Sequence, residues 1–427
     1  MRKKLSVILK VLLVLLVFLF LVYSYLPVIG LSLQDLFPFE LPLHSGQEED
    51  WQEGTGEEEI PLEGEEAKNV PPSFSQATLV AAGDIMVHQT QYLQAYNSEE
   101  DSYDFSPSFQ LIAPYLQSAD LAVANLETTL AGRDKGYRAY PRFNSPDEIA
   151  FALQEAGFDL LATANNHSLD SGEGGLYRTL EVIEEAGLEA FGTARSQQER
   201  DDPLLLEANE ITLAFLSYTY GTNGIPLPEG KDYIVNLIDE DLMARDIART
   251  RQEGADLVVV YMHWGQEYQF EPSEEQRRLA RFLVEAGADI ILGSHPHVIQ
   301  PMEFIEVEGS DGDIRRGFVV YSLGNFISNQ HRIEGSIPTG EVKYGLLLRF
   351  HLEKDLARGD AYLKDVDYLV TWVNRSWRHR LLPLYRVLEA EPEKYQISAD
   401  TQEKLKADWT KIQQRLQGFV PAFTLSP

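Results

Sequence analysis

The feature that most constrains this chain is a strand-length apolar run, opened by an aspartate and closed by a metal-competent polar residue, that recurs along it. Asp120-Leu-Ala-Val-Ala-Asn-Leu leads to Glu127, Asp159-Leu-Leu-Ala-Thr-Ala-Asn leads to Asn166 and His167, and Asp256-Leu-Val-Val-Val-Tyr-Met leads to His263. In all three the two ends are seven positions apart (127−120, 166−159, 263−256). Asp289 precedes His295 by six positions, and Thr78-Leu-Val-Ala-Ala-Gly83 runs into Asp84 without a leading Asp. Runs of small and β-branched apolar residues predict strands buried on both faces, as in a parallel sheet. Equal lengths place the terminal residues along one sheet edge, the carboxyl edge where open α/β sheets bind ligands. Asp84, Glu127, Asn166, His167, His263, His295 and His297 are therefore expected to converge. An ordinary loop residue explains one or two of these ends, but not five. His295-Pro-His297 just past a strand, on extended backbone, puts both imidazoles on one side, where they can face one ion.

The donor set follows from composition. The chain has 427 residues and no cysteine, so disulfides and thiolate sites are excluded and any ion is held by N and O ligands. Such ligands suit Mn, Fe, Zn, Mg or Ca. A net charge of −31 excludes a protein that reads a nucleic-acid backbone through clustered Lys and Arg. It also repels a polyanion everywhere except at bound cations.

The length suits one large domain with appendages. Arg2-Lys3-Lys4 precedes the apolar stretch from Leu5 to Leu26, with Lys10 able to snorkel. That is about the 20 residues that span a bilayer, with the positive end in the cytoplasm and no Ala-x-Ala cleavage site behind it. Residues 1–26 are thus expected to be a cytoplasmic tip and a single-pass transmembrane helix in the cell membrane, with the bulk of the chain extracellular. Residues 27–76 read as a disordered tether, since Gln47 to Lys68 holds ten acidic residues against one lysine. The domain is expected over 77–374 and a C-terminal helical tail over 375–427, basic at first through Arg375, Arg378 and Arg380. Within the domain, helices are predicted over 105–118, 172–187, 240–253 and 273–286. Ser145-Pro-Asp-Glu148 reads as an N-cap, a first-turn proline and a capping-box acid, its helix ending at Gly157. Segments 204–206 and 211–218 read as an antiparallel pair. Segments 304–307, 317–322 and 344–352 suggest a second, antiparallel layer.

Carboxylates, an amide and imidazoles are ligands for one or two divalent ions. A carboxylate bridges two ions about 3.5–4 Å apart, and such a pair activates water and holds a phosphoryl oxygen. Glu127 is the natural bridge. His167 is the candidate general acid and Asp170, three residues on, the carboxylate that fixes its tautomer. Candidate substrate contacts are Asn125 and Asn165 at the strand ends, Arg142 for an anionic group, and Glu267 beside Trp264 in the cleft. Asn223 and Asn325 sit in Gly-bounded turns that account for them, and His331, His351 and His379 match no motif.

Gly83-Asp84, Asn125-Leu-Glu127, Ala164-Asn-Asn-His167-Ser-Leu-Asp170-Ser-Gly172, His263-Trp-Gly-Gln-Glu267-Tyr, Gly293-Ser-His295-Pro-His297 and Ser322-Leu-Gly-Asn325-Phe together resemble the bacterial CapA family. That family is associated with poly-γ-glutamate capsule synthesis and with the calcineurin-like metallophosphoesterase superfamily; the resemblance covers roughly residues 77–330. It implies an α/β fold, a four-layer α/β/β/α sandwich, with a dinuclear centre. Asp84 and His297 would hold one ion, Asn166, His263 and His295 the other, with Glu127 between them, where the superfamily usually has Asp. Met86 stands where the superfamily's Asp-x-His motif has an imidazole. A thioether is a poor ligand for hard ions, and His88 replaces it only if the backbone turns after Asp84. The expected function is a metal-dependent, phosphoesterase-like hydrolase using Mn, Fe, Zn or Mg. It would act on an anionic polymer or phosphoester in poly-γ-glutamate capsule production or export. The alternatives are a non-catalytic accessory partner of polyglutamate synthase subunits, and a metal-dependent amide hydrolase.

Overall fold

Strand β1 (Phe74–Ile85) lies inside the larger of two sheets, and its sequence shows why. Leu79 and Ala81 face one way, Val80 and Ala82 the other, and all four are fully buried. A strand apolar on both faces needs a packed layer on each. The computed structural model describes residues 74–308, 312 and 314–421. The expected anchor and residues 27–73 of the tether lie outside the described residues. No helix among the described residues is long and apolar enough to cross a membrane.

Strands β2 (Leu121–Leu126), β3 (Leu160–Ala162) and β4 (Glu189–Phe191) follow β1 in parallel. Then β5 (Leu204–Ala208) and β6 (Ile211–Thr219) form the predicted antiparallel pair. Their turn, Asn209-Glu210, has φ of 50° and 65°, the conformation that a two-residue hairpin requires. This hairpin opens a second sheet, continued in parallel by β7 (Leu257–His263) and β8 (Ile290–Ser294). An antiparallel pair, β9 (Met302–Glu308) and β10 (Ile314–Val320), closes it, with β10 parallel to β8. The chain then returns to the first sheet. There β11 (Asn325–Ile327) runs parallel to the end of β1, while β12 (Tyr344–Asp355), β13 (Asp360–Asn374) and β14 (Arg380–Pro383) extend the sheet antiparallel. The strand orders are β14-β13-β12-β1-β2-β3-β4 and β9-β10-β8-β7-β6-β5.

The two sheets share a core in which Leu79, Ala81 and Val123 meet Phe215, Val259 and Leu292. On the outer face of the first sheet, Val80 and Ala124 pack with Phe109, Leu153 and Ile183 from helices. On the outer face of the second, Val258 and Val260 pack with Ile247 and Leu283 from helices Glu240–Gln252 and Glu274–Ala286. The result is a mixed α/β fold with two sheets inside and helices outside. Each fully buried Leu, Ile or Phe contributes roughly 1.5–3 kcal/mol. A one-residue slip of β1 would exchange both faces at once, so register is set by the core.

Several expectations are corrected. The five strand ends do not lie on one sheet: β1, β2 and β3 belong to the first, β7 and β8 to the second, and the two carboxyl edges face a common place. Segments 304–307 and 317–322 join the second sheet and 344–352 the first, so they form no separate layer. The expected helix over 105–118 is two short turns, Ser106–Phe109 and Ala113–Leu116, each restarted by a first-turn proline. Ser145 is not an N-cap: its hydroxyl bonds Thr128 Oγ1 at 2.7 Å, and the helix begins at Glu148 behind Asp147. Asp147 is in turn held by both terminal nitrogens of Arg178. The segment from Arg375 supplies β14, and its Leu384, Val387, Leu405 and Ile412 lie in the inter-sheet core.

Candidate metal centre

Each strand end is shaped locally before it contributes a side chain. The β1–β2 register breaks between Ala81 and Asp84, and Asp84 N–H donates to Gly324 O at 3.0 Å. Glu127 N–H donates to Ile85 O at 2.9 Å, holding the end of β2 against that of β1. After β3, the hydroxyl of Ser168 donates to Thr163 O and accepts the Asn165 N–H, closing the turn that presents Asn166 and His167. From the second sheet, β7 ends in His263. Tyr261, two residues earlier, donates its hydroxyl to Ala82 O across the sheets.

His295 and His297 come together differently from the expectation. Their backbone is not extended: β8 stops at Ser294, and φ is 93° at His295 and 57° at His297. Left-handed φ at a residue with a β-carbon costs roughly 1–3 kcal/mol and persists where its surroundings over-determine it. Here Asp84 Oδ2 accepts the His295 N–H at 3.3 Å, and Pro296 O accepts the Tyr268 N–H at 2.8 Å. The two ring centroids are 6.0 Å apart.

Asp84, Glu127, Asn166, His263, His295 and His297 all converge and are buried. Glu127 Oε1 lies 3.8 Å from His263 Nε2 and 3.7 Å from His297 Nε2. Asn166 Oδ1 is 2.9 Å from His263 Nε2. Two donor groups result, Glu127 with His263 and His295, and Asp84 with Glu127 and His297, each with ligand atoms within 4.8 Å of one another. Glu127 is common to both. Its Oε1 and the Nδ1 of His295 are buried without a hydrogen-bond partner. An orphaned buried acceptor costs about 1–3 kcal/mol, so two at the centre of a cluster of nitrogen and oxygen donors fit a cation. The donors match divalent ions of intermediate hardness.

Electrostatics support the same use. Burial, and then the charge of Asp84, push the Glu127 carboxyl well above its ordinary range. Burial, and then neighbouring imidazoles, hold His263 well below its usual value and lower His295 to about 3. Both rings are neutral near pH 7, with lone pairs available.

Second contacts fix the ligands. His263 Nδ1 is 2.8 Å from Ser294 Oγ, and His297 Nδ1 is 3.1 Å from both Asp84 Oδ2 and Asn325 Oδ1. Asn223 Oδ1 accepts from Asn166 Nδ2 at 3.2 Å. Turn geometry in the sequence hides both Asn223 and Asn325; the signal available was Asn325's place in the Ser322-Leu-Gly-Asn325-Phe motif. Asn125 and Asn165, expected as substrate contacts, have their amides turned to protein partners. Asn125 Nδ2 donates to Asp84 Oδ1 at 2.9 Å and reaches Glu127 Oε2 at 3.3 Å, and Asn165 Nδ2 donates to Asn125 Oδ1 at 3.0 Å. Both are buried: Asn125 braces the two carboxylates, and Asn165 braces Asn125.

A cleft of about 390 Å³ opens beside the ligands, lined by Met86, His88, His167, Glu267, Tyr268 and His297 among others. His167 Nδ1 lies 2.6 Å from Asp170 Oδ2, which also accepts the Phe143 N–H at 2.6 Å. The ring of Phe143 meets His167 edge-on at 4.7 Å. Arg142 is exposed and lies outside the cleft lining. Met86 is buried, its sulfur 3.8 Å from Ser328 Oγ. The backbone does not turn His88 into the ligand set. Instead His88 starts helix Gln89–Ala95, pairs with Gln91, and accepts the Asn329 N–H at 3.3 Å.

Comparison with known proteins adds a lineage to this geometry. The family of bacterial capsule synthesis protein PGA_cap matches residues 78–330, more than half of the chain. The capsule biosynthesis protein CapA of Bacillus anthracis is 31% identical over 264 residues, 59% of this chain and 60% of that protein's length. The PGA biosynthesis protein CapA of Bacillus subtilis is 30% identical over 300 residues, 66% of this chain and 70% of that protein. A probable polyglutamine synthesis accessory protein of Mycobacterium tuberculosis is 26% identical over 238 residues, 51% of this chain and 58% of that protein.

Proposed function

The chain belongs to the PGA_cap family of bacterial capsule synthesis proteins, and from that premise we propose that it is a metal-dependent, phosphoesterase-like hydrolase of poly-γ-glutamate capsule production or export. The observation that carries the reading is Glu127, shared by two donor groups and holding one oxygen without a protein partner. The helix-flanked pair of sheets fits the calcineurin-like metallophosphoesterase layering that the motifs suggest. Asp84, Glu127 and His297 would hold one divalent ion (Mn, Fe, Zn or Mg), and Glu127, Asn166, His263 and His295 the other. When bound, such ions supply Lewis-acid stabilisation of phosphoryl charge and acidify water.

The chain's own residues supply the proton. With Nδ1–H directed at Asp170, the His167 ring presents Nε2, and the protonated ring donates from Nε2 to the leaving oxygen as its bond to phosphorus breaks and the oxygen of water, its own proton released to solvent, bonds to phosphorus. Asp170 holds ring and tautomer. Asn125 keeps the Asp84 and Glu127 carboxylates apart and oriented. The apolar residues 5–26 would anchor the protein by a single pass in the cell membrane, its domain outside, beside synthase subunits.

A second reading, a non-catalytic accessory subunit, is favoured by Met86 at the position of an expected imidazole. The test is hydrolysis of bis(p-nitrophenyl) phosphate by the purified full-length chain with each of Mn, Fe, Zn and Mg. Turnover that falls by about 10²–10⁴-fold in His167→Ala, with ion content unchanged, is the expected result. Bound metal without turnover for any of the four would leave the accessory reading.

A further inference from the structure

The loop after His263 is built to carry one carboxylate to the ligands. Trp264 anchors its start, its ring buried and its Nε1–H donated to Tyr321 O at 3.0 Å. Gly265 then turns at φ 87°, where a β-carbon would meet the Gln276 side chain at 2.6 Å. Tyr268 turns again at φ 66° and donates its N–H to Pro296 O, the carbonyl between the two histidines. These fixed points leave Glu267 projecting into the cleft, with a carboxylate oxygen and a ring nitrogen of each of His295 and His297 all within 4.8 Å of one another. Meanwhile the Asp84, Glu127 and His297 group has three donors, and the side chain two residues past Asp84 is a thioether.

We propose that Glu267 is a ligand of the ion held by Asp84, Glu127 and His297, replacing the imidazole that Met86 does not supply. The inference rests on the metal reading above and deepens it. It gives the two ions different surroundings. One has three carboxylates and one imidazole; the other has a shared carboxylate, an amide and two imidazoles. Hard oxygen ligands suit Mn²⁺ and Mg²⁺, whereas imidazole suits Zn²⁺ and Fe²⁺, so the Glu267 position should prefer Mn²⁺ and the other should accept either.

The experiment is Mn²⁺ binding to the purified full-length chain, by equilibrium dialysis with elemental analysis and by calorimetry. The expected result is two ions per chain for the wild type. Glu267→Gln should retain one and bind the other at least about tenfold more weakly, since loss of outer contacts alone weakens metal by about 10- to 100-fold. Met86→His introduced into Glu267→Gln should bring the second ion back. Matching thermal melts of the ion-free forms separate a lost ligand from a lost fold. Glu267→Gln binding both ions within twofold of the wild type would overturn the proposal and leave the metal centre standing. A wild type that takes up no ion at all would overturn both.

Discussion

His167 turns its Nδ1 toward Asp170 Oδ2 at 2.6 Å, and the same carboxylate oxygen is fixed by the backbone N–H of Phe143. Asp170 is therefore tied to the segment that also sets the ring of Phe143 edge-on against His167. An Asp170→Asn change keeps the shape but lets the amide donate where the carboxylate could only accept, which permits the wrong tautomer. Turnover of an aryl phosphodiester should fall on the order of 10²-fold or more, with KM and ion content near wild type. Equal turnover in Asp170→Asn would remove His167 from the role of proton donor.

Ion binding should release a proton. Burial and the neighbouring Asp84 charge raise the Glu127 carboxyl well above the ordinary carboxylate range, so protons compete with ions for it and ligation displaces them. Calorimetry at neutral pH in buffers of different ionisation enthalpy should give an apparent heat that varies with the buffer. The dependence should weaken in Glu127→Gln, along with the affinity for both ions. A heat independent of buffer would contradict the competition between proton and ion at Glu127.

The strand ends were legible because buried parallel strands leave a plain pattern: apolar on both faces, equal in length, and polar where they stop. That pattern located Asp84, Glu127, Asn166, His263, His295 and His297. It did not reveal that the strands divide between two sheets, because the hairpin 204–219 reads as another antiparallel pair whichever sheet it starts. Nor did it reveal the turn at His295 and His297, whose positive φ values depend on Asp84 and Tyr268, distant in sequence. The protein partners of Asn125 and Asn165 were hidden for the same reason: one sequence position does not show that one amide meets Asp84 on the neighbouring strand and the other meets the first amide. Ser145 fits a capping box, yet tertiary contact with Thr128 takes its hydroxyl.

Acid should destabilise the ion-free fold well above the range of ordinary carboxylates. Burial, and then the Arg375 charge, lower His379 from 6.5 to about 4, and its ring nitrogens lie 2.8 Å from side-chain oxygens of Gln94 and Asn329. Between those two values the unfolded chain binds the proton and the folded one does not. Stability is thus full above about pH 6.5 and declines as pH falls toward 4, by about 3 kcal/mol for this group at most. His88, lowered to about 4 chiefly by burial, acts with the same sign. Denaturant melts at pH 7 and pH 5 should show a smaller loss for His379→Gln than for the wild type. Identical losses would mean that His379 does not stay neutral in the fold.

Two glycines close to the ligands are required by space, and they separate the folded scaffold from backbone propensity. A β-carbon at Gly83, next to Asp84, would sit 1.9 Å from Gly324 O, and one at Gly293, two residues before His295, would sit 2.0 Å from Tyr321 O. In both the obstacle is backbone, which cannot rotate away, so alanine must push neighbouring strands apart at the point where they deliver ligands. Overpacking of this kind costs about 1–3 kcal/mol or more. Gly174, in helix Gly172–Glu185, has open space around its β-carbon position and is exposed. There, in the first turn of the helix, alanine should stabilise by about 0.4–1 kcal/mol, because it fits the native backbone and restricts the unfolded chain. Denaturant midpoints of Gly83→Ala and Gly293→Ala should fall while that of Gly174→Ala rises, and the first two should also lose ion affinity because Asp84 and His295 move. If either ligand-side alanine left both stability and ion content at wild-type values, the strands could not pack as closely as described, and the convergence of ligands would need another explanation.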